Sequence, residues 1–165
     1  MIIFGYPGIG KTTLVKEGFT RSDCHGTIDL ESSMFRTDMH PERSEDWYQA
    51  YGNIAIDLSN QGFLVFCACH PIIRDYIAKK VPNNNYVIIF PSINLREEWL
   101  YRLRQRYFNT KSNKDLNALE YAENHYSESV YQLYKQNQFD TVTLENMEYD
   151  LREEIERIFN TLKEK

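Results

Sequence analysis

The chain has 165 residues, of which 42% are hydrophobic and 26% are charged, and its formal net charge is −5. This composition is ordinary for one globular domain, and the negative charge argues against a nucleic-acid track over the whole surface. No stretch is apolar and long enough to cross a membrane, no leader pattern precedes the first strand, and three cysteines cannot all pair. We therefore expect a cytoplasmic protein, a monomer or dimer, with no membrane partner.

The first predicted strand, at residues 2–4, is followed directly by a glycine-rich loop and a helix that starts at Lys11. The loop, Gly-Tyr-Pro-Gly-Ile-Gly-Lys-Thr, matches the phosphate-binding pattern Gly-x-x-x-x-Gly-Lys-[Ser/Thr]. In this motif backbone N–H groups and the helix dipole hold phosphate oxygens, the lysine reaches the β- and γ-phosphates, and the hydroxyl of Thr12 binds Mg²⁺. The pattern predicts binding of a nucleoside triphosphate. The expected contacts are Gly5, Pro7, Gly8, Ile9, Gly10, Lys11, Thr12 and Thr13.

The second predicted strand, at residues 26–30, ends in acidic residues. Asp29 lies in the strand, and Glu31 shares its side if the strand continues that far. A carboxylate at this position can take the proton of an attacking hydroxyl or hold Mg²⁺. Asp29 is therefore a candidate catalytic and metal-binding residue, and Glu31 a candidate for substrate binding. The alternative is a strand-end carboxylate that caps the next turn, before a loop expected over residues 32–46.

The third predicted strand, at residues 63–68, ends without the acidic Mg²⁺ partner that many proteins with this loop carry. That task falls to Asp29 or Glu31, or to water. His70 occupies the position instead and is a candidate contact for phosphate or for the acceptor. The alternative is a polar residue that closes the turn before Pro71.

The fourth predicted strand, at residues 86–90, leads into a segment with four arginines at positions 96–106. Arg102 and Arg106 are four residues apart and share one helical face, and guanidinium groups suit phosphate. We expect a helical lid over residues 94–112, in which these two arginines stabilise charge on the transferred group. The alternative is a solvated basic surface. Residues 109–115 are polar and aperiodic and are expected to form a loop.

A fifth strand is predicted at residues 139–143, and the turn after it contains Asn146, a positional candidate for contact with a nucleotide base. Apolar stripes at helical spacing alternate with the strands. This alternation predicts a single α/β domain over residues 1–165 with a parallel sheet. Ligands of such sheets bind at the carboxyl ends of the strands.

The loop at residues 5–12, Asp29 and the arginine-rich segment 96–106, in this order, resemble the P-loop kinases of the nucleoside and nucleotide kinase type, including minimal phage-type kinases. The resemblance implies a three-layer fold with strand order 2-3-1-4-5, ATP and Mg²⁺ as donor and cofactor, and phosphate transfer to a nucleoside or nucleotide. Arg36 is then the nearest candidate for an acceptor phosphate.

Two alternatives stay open at this point. One is a kinase acting on a hydroxyl of a nucleic acid, and the other is an ATP-binding or interaction protein without turnover. Trp47, Tyr48 and Tyr51 could stack an acceptor base, but they are equally explained as core residues.

Overall fold

The computed structural model describes residues 1–35, 44–136 and 140–163. Its five strands form one parallel sheet in the order β2-β3-β1-β4-β5, so the expected α/β fold and strand order are confirmed. The strands are Ile2–Gly5 (β1), Gly26–Leu30 (β2), Phe63–Ala68 (β3), Tyr86–Pro91 (β4) and Asp140–Leu144 (β5). The α-helices in the described residues are Lys11–Lys16 (α1), Trp47–Asn60 (α2), Pro71–Ala78 (α3), Arg96–Thr110 (α4), Asn113–Tyr134 (α5) and Leu151–Lys163 (α6).

The central strands are apolar on both faces, whereas the edge strands are not. Every residue of β1 and β4 is buried, which is the pattern of a parallel sheet covered by helices on both sides. The edge strands β2 and β5 are mostly half-buried and contain threonine and aspartate. Asp29 can therefore lie near the carboxyl end of β2 without entering the core.

Tyr51 of α2 joins the carboxyl ends of β2 and β3. Its side chain is fully buried, and its hydroxyl donates to Leu30 O at 2.5 Å and accepts from Ala68 N at 2.8 Å. Burial raises its pKa well above the ordinary value. The complete burial of Tyr51 favours the core interpretation over stacking against an acceptor base.

The sequence predicts a loop over residues 109–115, and this prediction is wrong. Helix α4 continues to Thr110 and α5 begins at Asn113, so that only Lys111 and Ser112 separate them. Lys111 has a positive φ of 52° and ends α4, and the Ser112 hydroxyl accepts from Asp115 N at 3.1 Å as an N-cap. The polar residues of this stretch are helix ends and caps, and α4 and α5 form a tight helical hairpin.

The predicted loop over residues 32–46 also contains helical structure, because Ser32–Phe35 forms a 3₁₀ helix. Residues 36–43, which include the candidate Arg36, lie outside the described residues. Among the helices that are described, none is long and apolar enough to span a membrane.

Candidate functional site

The glycine-rich loop connects β1 to α1 at the carboxyl edge of the sheet. Gly8 and Gly10 have φ values of 94° and 104°, a region that strongly favours glycine. A Cβ atom at Gly8 would also lie 3.0 Å from Leu103 Cδ2 and 3.2 Å from Trp99 Nε1. The loop therefore needs glycine for its backbone conformation and for its close approach to α4.

Two aromatic side chains hold the loop from outside by binding its carbonyl groups. Trp99 of α4 is fully buried, and its Nε1 donates to Pro7 O at 2.8 Å. Tyr149, between β5 and α6, donates from its hydroxyl to Ile9 O at 3.0 Å. The N–H group of a trans peptide points away from its carbonyl. Fixing these two carbonyls therefore directs the N–H groups of Gly8 and Gly10 to the opposite side.

Arg102 completes this outer contact. Its guanidinium carbon lies 5.1 Å from the ring centre of Trp99 and 5.2 Å from that of Tyr149. Its Nη1 donates to the Tyr149 hydroxyl at 2.5 Å and approaches Gly8 O at 3.5 Å, while its Nη2 donates to Met147 O at 3.3 Å. Burial raises the pKa of Tyr149 and the charge of Arg102 partly offsets this effect. Arg102 thus lies against the outer side of the loop.

A cavity of about 510 Å³ opens between this outer contact and α1. Its size falls within the range of small-molecule sites. Its rim is charged: Arg152 forms an ion pair with Glu17, and the Asp150 carboxylate accepts from Arg152 N at 2.8 Å. Its lining includes Gly10, Thr13, Arg102, Tyr149 and Asp150.

Asn146 does not line this cavity. Its Oδ1 accepts from Glu148 N at 2.9 Å, which stabilises the turn after β5. It lines instead an adjoining acidic cavity of about 460 Å³, which shares Tyr149 and Asp150 with the first. Tyr149 and Asp150, a few residues further along the same connection, are the ones beside the glycine-rich loop.

The opposite side of the loop faces the end of β2. The stem of Lys11 passes so close to Gly5 that a Cβ atom there would lie 2.8 Å from Lys11 Cδ, and Lys11 Nζ donates to Gly5 O at 2.8 Å. The Thr12 hydroxyl donates to Asp29 Oδ2 at 2.5 Å. The structure thus brings together three residues that the sequence identifies as candidates, Lys11, Thr12 and Asp29.

Four charged groups lie together on this inner side, and we refer to Lys11, Asp29, Glu31 and Lys114 as the inner cluster. Glu31, directly after β2, forms an ion pair with Lys114 in the first turn of α5. Burial lowers the pKa of Lys11; the charges of Asp29 and Glu31 oppose this effect and that of Lys114 adds to it. Two carboxylates therefore face two ammonium groups at the carboxyl edge of the sheet.

Arg106 belongs to neither side of the loop. It forms an ion pair with Asp115, a buried carboxylate at the start of α5. Burial alone would raise the pKa of Asp115, but hydrogen bonds from Thr110 and Arg106 lower it below its usual value. Arg106 therefore stabilises the hairpin of α4 and α5.

His70 occupies the N-cap position of α3 without a side-chain capping bond, and its ring meets Trp47 edge to face with centroids 5.7 Å apart. Its Nε2 lies 3.4 Å from Ser32 Oγ. Two residues that the sequence singles out for the acceptor, His70 and Trp47, are thus in contact near the end of β2.

Arg74 of α3 is a buried charge that the sequence did not indicate. Its side chain is 2% exposed, its Nη1 donates to Gln136 Oε1 at 2.9 Å, and its Nε has no hydrogen-bond partner within the described residues. Burial raises the pKa of Cys69, while the nearby charges of Arg74 and Lys11 lower it. Arg74 therefore lies near Cys69, which directly follows β3.

The residues that sequence reasoning missed are Trp99, Tyr149 and Lys114. Trp99 forms part of an apolar stripe, so its pattern indicates core packing and gives no sign of the bond to Pro7. Lys114 meets Glu31 across 83 positions of sequence, a separation that only the folded hairpin closes.

No protein-family model matches the chain, and a comparison with curated proteins gives no significant match either.

Proposed function

We propose that the chain is a small P-loop kinase that transfers the γ-phosphate of ATP to a nucleoside or nucleotide. The observation that carries this proposal is the hydrogen bond between Thr12 and Asp29 beside Lys11. A hydroxyl, a carboxylate and an ammonium group converge directly after a loop of phosphate-binding sequence. They do so at the carboxyl edge of a parallel sheet, where α/β proteins bind their ligands.

The inner side of the loop would receive the phosphates. The N–H groups of Gly8 and Gly10, with those of the first turn of α1, are the donors. Lys11 would exchange its bond to Gly5 O for oxygens of the β- and γ-phosphates. This exchange is favourable because an anionic partner supports the charged form of Lys11 that burial disfavours.

Thr12 and Asp29 fit a magnesium ion. Their hydroxyl and carboxylate oxygens are the hard donors that Mg²⁺ prefers, and Mg²⁺ in such sites completes its shell with phosphate oxygens and water. When bound, the ion would neutralise negative charge on the phosphates. Asp29 or Glu31 would take the proton from the acceptor hydroxyl.

The cavity on the outer side would hold the base and sugar of ATP. Arg102 and Tyr149 offer a flat, partly cationic surface beside Gly10 and Thr13, and guanidinium groups stack on aromatic rings. This arrangement supports a role of Arg102 in binding the nucleotide base. It also makes Asp150 a stronger candidate than Asn146 for a polar contact with the nucleoside.

The acceptor would bind near Trp47 and His70, between the end of β2 and α3. Ser32, whose Oγ lies 3.4 Å from His70 Nε2, directly follows Glu31, so an acceptor hydroxyl held there would lie near a candidate base.

The cysteines Cys24, Cys67 and Cys69 are all free thiols, which supports the proposal of a cytoplasmic enzyme.

A nucleic-acid hydroxyl is the second candidate acceptor. Tyr101 and Phe108 are seven residues apart on α4 and are 63% and 68% exposed, and Lys111 Nζ lies 4.2 Å from the centre of the Phe108 ring. Exposed aromatic rings beside a cation can stack the bases of single strands.

The test is a screen for ADP formation from Mg·ATP with nucleosides, nucleoside monophosphates or short single-stranded DNA, each with wild type and Lys11→Ala. We expect acceptor-dependent ADP that the variant does not form, with nucleosides the best acceptors, because their hydroxyl needs the base that Asp29 or Glu31 supplies. Preference for DNA would support the second candidate. Binding of ATP with no acceptor-dependent ADP would indicate a binding protein, and failure to bind ATP would contradict the proposal altogether.

A further inference from the structure

The hairpin of α4 and α5 reaches from the end of β4 to the end of β2, and Lys114 lies at its far end. Lys114 is in the first turn of α5, and its Nζ forms an ion pair with Oε1 of Glu31. Glu31 is two residues beyond Asp29, whose carboxylate binds the Thr12 hydroxyl. The hairpin thus brings the ammonium group of Lys114 to the carboxylates at the end of β2, one of which is bound to Thr12.

Several contacts of the helical hairpin fix the place of Lys114 in the fold. Ser112 caps α5 through Asp115 N, and the buried Asp115 carboxylate accepts from the Thr110 hydroxyl at 2.5 Å and pairs with Arg106. Arg106 therefore acts within the hairpin, at the base of the turn that carries Lys114. The other arginine expected to stabilise the transferred group, Arg102, is bound to the outer side of the loop.

The pairing of Lys114 with Glu31 leaves room for exchange. The two side chains are 44% and 26% exposed, and ion pairs with this much contact with solvent contribute little to stability. A phosphate group carries more negative charge than one carboxylate, so it competes well for the ammonium group.

We propose that Lys114 is a catalytic residue that binds the transferred γ-phosphoryl group opposite Lys11, and that its release of Glu31 frees this carboxylate to act as the general base. This inference depends on the proposed kinase function. The acceptor oxygen forms a bond to the γ-phosphorus while the bond from that phosphorus to the β,γ-bridging oxygen breaks, and its electron pair leaves with ADP. The hydroxyl proton passes to the Glu31 carboxylate and then to solvent.

The test compares Lys114→Ala and Lys114→Gln with wild type and with Lys135→Ala, the matched control. Lys135 is an exposed lysine directly after the other end of α5, whose Nζ lies 4.4 Å from the ring centre of Tyr131. Binding of ATP and of ADP is measured by titration calorimetry, and phosphate transfer by single-turnover kinetics. Because ADP lacks the γ-phosphate, we expect both Lys114 variants to lose about tenfold in ATP affinity and to keep ADP affinity within about twofold. Transfer should slow about 10²–10³-fold, as for loss of one stabilising donor.

We expect Lys135→Ala to match wild type in all three measurements and Lys114→Arg to recover part of the transfer rate. Equal losses of ATP and ADP affinity would overturn the inference, because Lys114 would then act only on the fold or on Glu31. Wild-type behaviour of both Lys114 variants would overturn it as well and leave the kinase proposal intact. A wild-type protein that transfers no phosphate would contradict the proposed function itself.

Discussion

The two sides of the glycine-rich loop differ in the kind of contact that they make. On the outer side, Trp99 and Tyr149 bind neutral carbonyls with aromatic donors, and Arg102 spans both rings. On the inner side, Lys11, Asp29, Glu31 and Lys114 are charged groups whose partners a phosphate or a metal ion could replace. We infer that the outer side fixes the loop, and we propose that the inner side supplies the chemistry, as in a preorganised site.

The largest effect should come from Lys11, at the centre of the inner side. We expect Lys11→Ala to lower phosphate transfer about 10³–10⁵-fold, the range for loss of one cation that stabilises a transferring phosphoryl group. Circular dichroism should give a folded spectrum, because the side chain is not part of the hydrophobic core. Turnover within a few-fold of wild type would contradict the assignment of the loop.

Asp29→Asn should have the next largest effect. It keeps the shape of the side chain but removes the charge that faces Thr12 and Lys11, so transfer should fall about 10²–10⁴-fold while ATP affinity falls much less. Steady-state kinetics and direct ATP titration measure the two quantities separately. If turnover is unchanged, neither the proton nor the metal depends on Asp29, and Glu31→Gln becomes the decisive variant.

On the outer side we expect losses of stability. Trp99→Phe removes the donor to Pro7 O, and Tyr149→Phe removes the hydroxyl that links Arg102 to Ile9 O. Each change should lower the free energy of unfolding by about 1–2 kcal/mol, measured by urea denaturation, with ATP affinity reduced several-fold. Tyr101→Phe, an exposed hydroxyl on α4, is the control and should change neither quantity. If Trp99→Phe and Tyr149→Phe have the same free energy of unfolding as Tyr101→Phe, these hydrogen bonds do not hold the loop.

The smallest effect concerns the stability of the chain without nucleotide. Burial lowers the pKa of Lys11 in the folded chain below its ordinary value of 10.5, so the unfolded chain binds this proton more tightly and the charge opposes folding at neutral pH. Lys11→Met removes the charge and should melt at a higher temperature than wild type at pH 7. The difference in melting temperature between the two proteins should narrow as the pH rises from the lowered pKa towards 10.5. Over this range Lys11 loses its proton first in the folded and then in the unfolded wild-type chain.

The exposed Lys16 provides the matched control, because Lys16→Met on the same helix removes a lysine that water already solvates. It should melt close to wild type at pH 7 and pH 10. If Lys11→Met melts below wild type at pH 7, the hydrogen bond from Lys11 to Gly5 O stabilises the wild-type fold more than the burial of the lysine charge destabilises it.

The fold could be predicted from the sequence because the apolar runs that form the strands are a local signal. The apolar runs of β1 and β4 are buried on both faces as their composition indicates. Thr12 could be predicted from the loop motif. Asp29 could be predicted because its strand ends at the same edge of the sheet as the loop. Lys114 and Tyr149 could not be predicted, because their partners depend on how the helices pack. A polar stretch such as residues 109–115 can form either a loop or a pair of helix caps, and its composition does not distinguish the two.

The measurement that tests the central claim most directly is a ¹⁵N-edited NMR titration of the amide groups with Mg·ATP. We expect the largest chemical-shift changes at residues 8–13, the glycine-rich loop and the first turn of α1, together with smaller changes near Tyr149 and Asp150. The same titration of Lys11→Ala should lose the changes at residues 8–13. Changes confined to the acidic cavity around Asn146 and Glu148, or none at all at millimolar ATP, would contradict the claim that this loop binds the triphosphate.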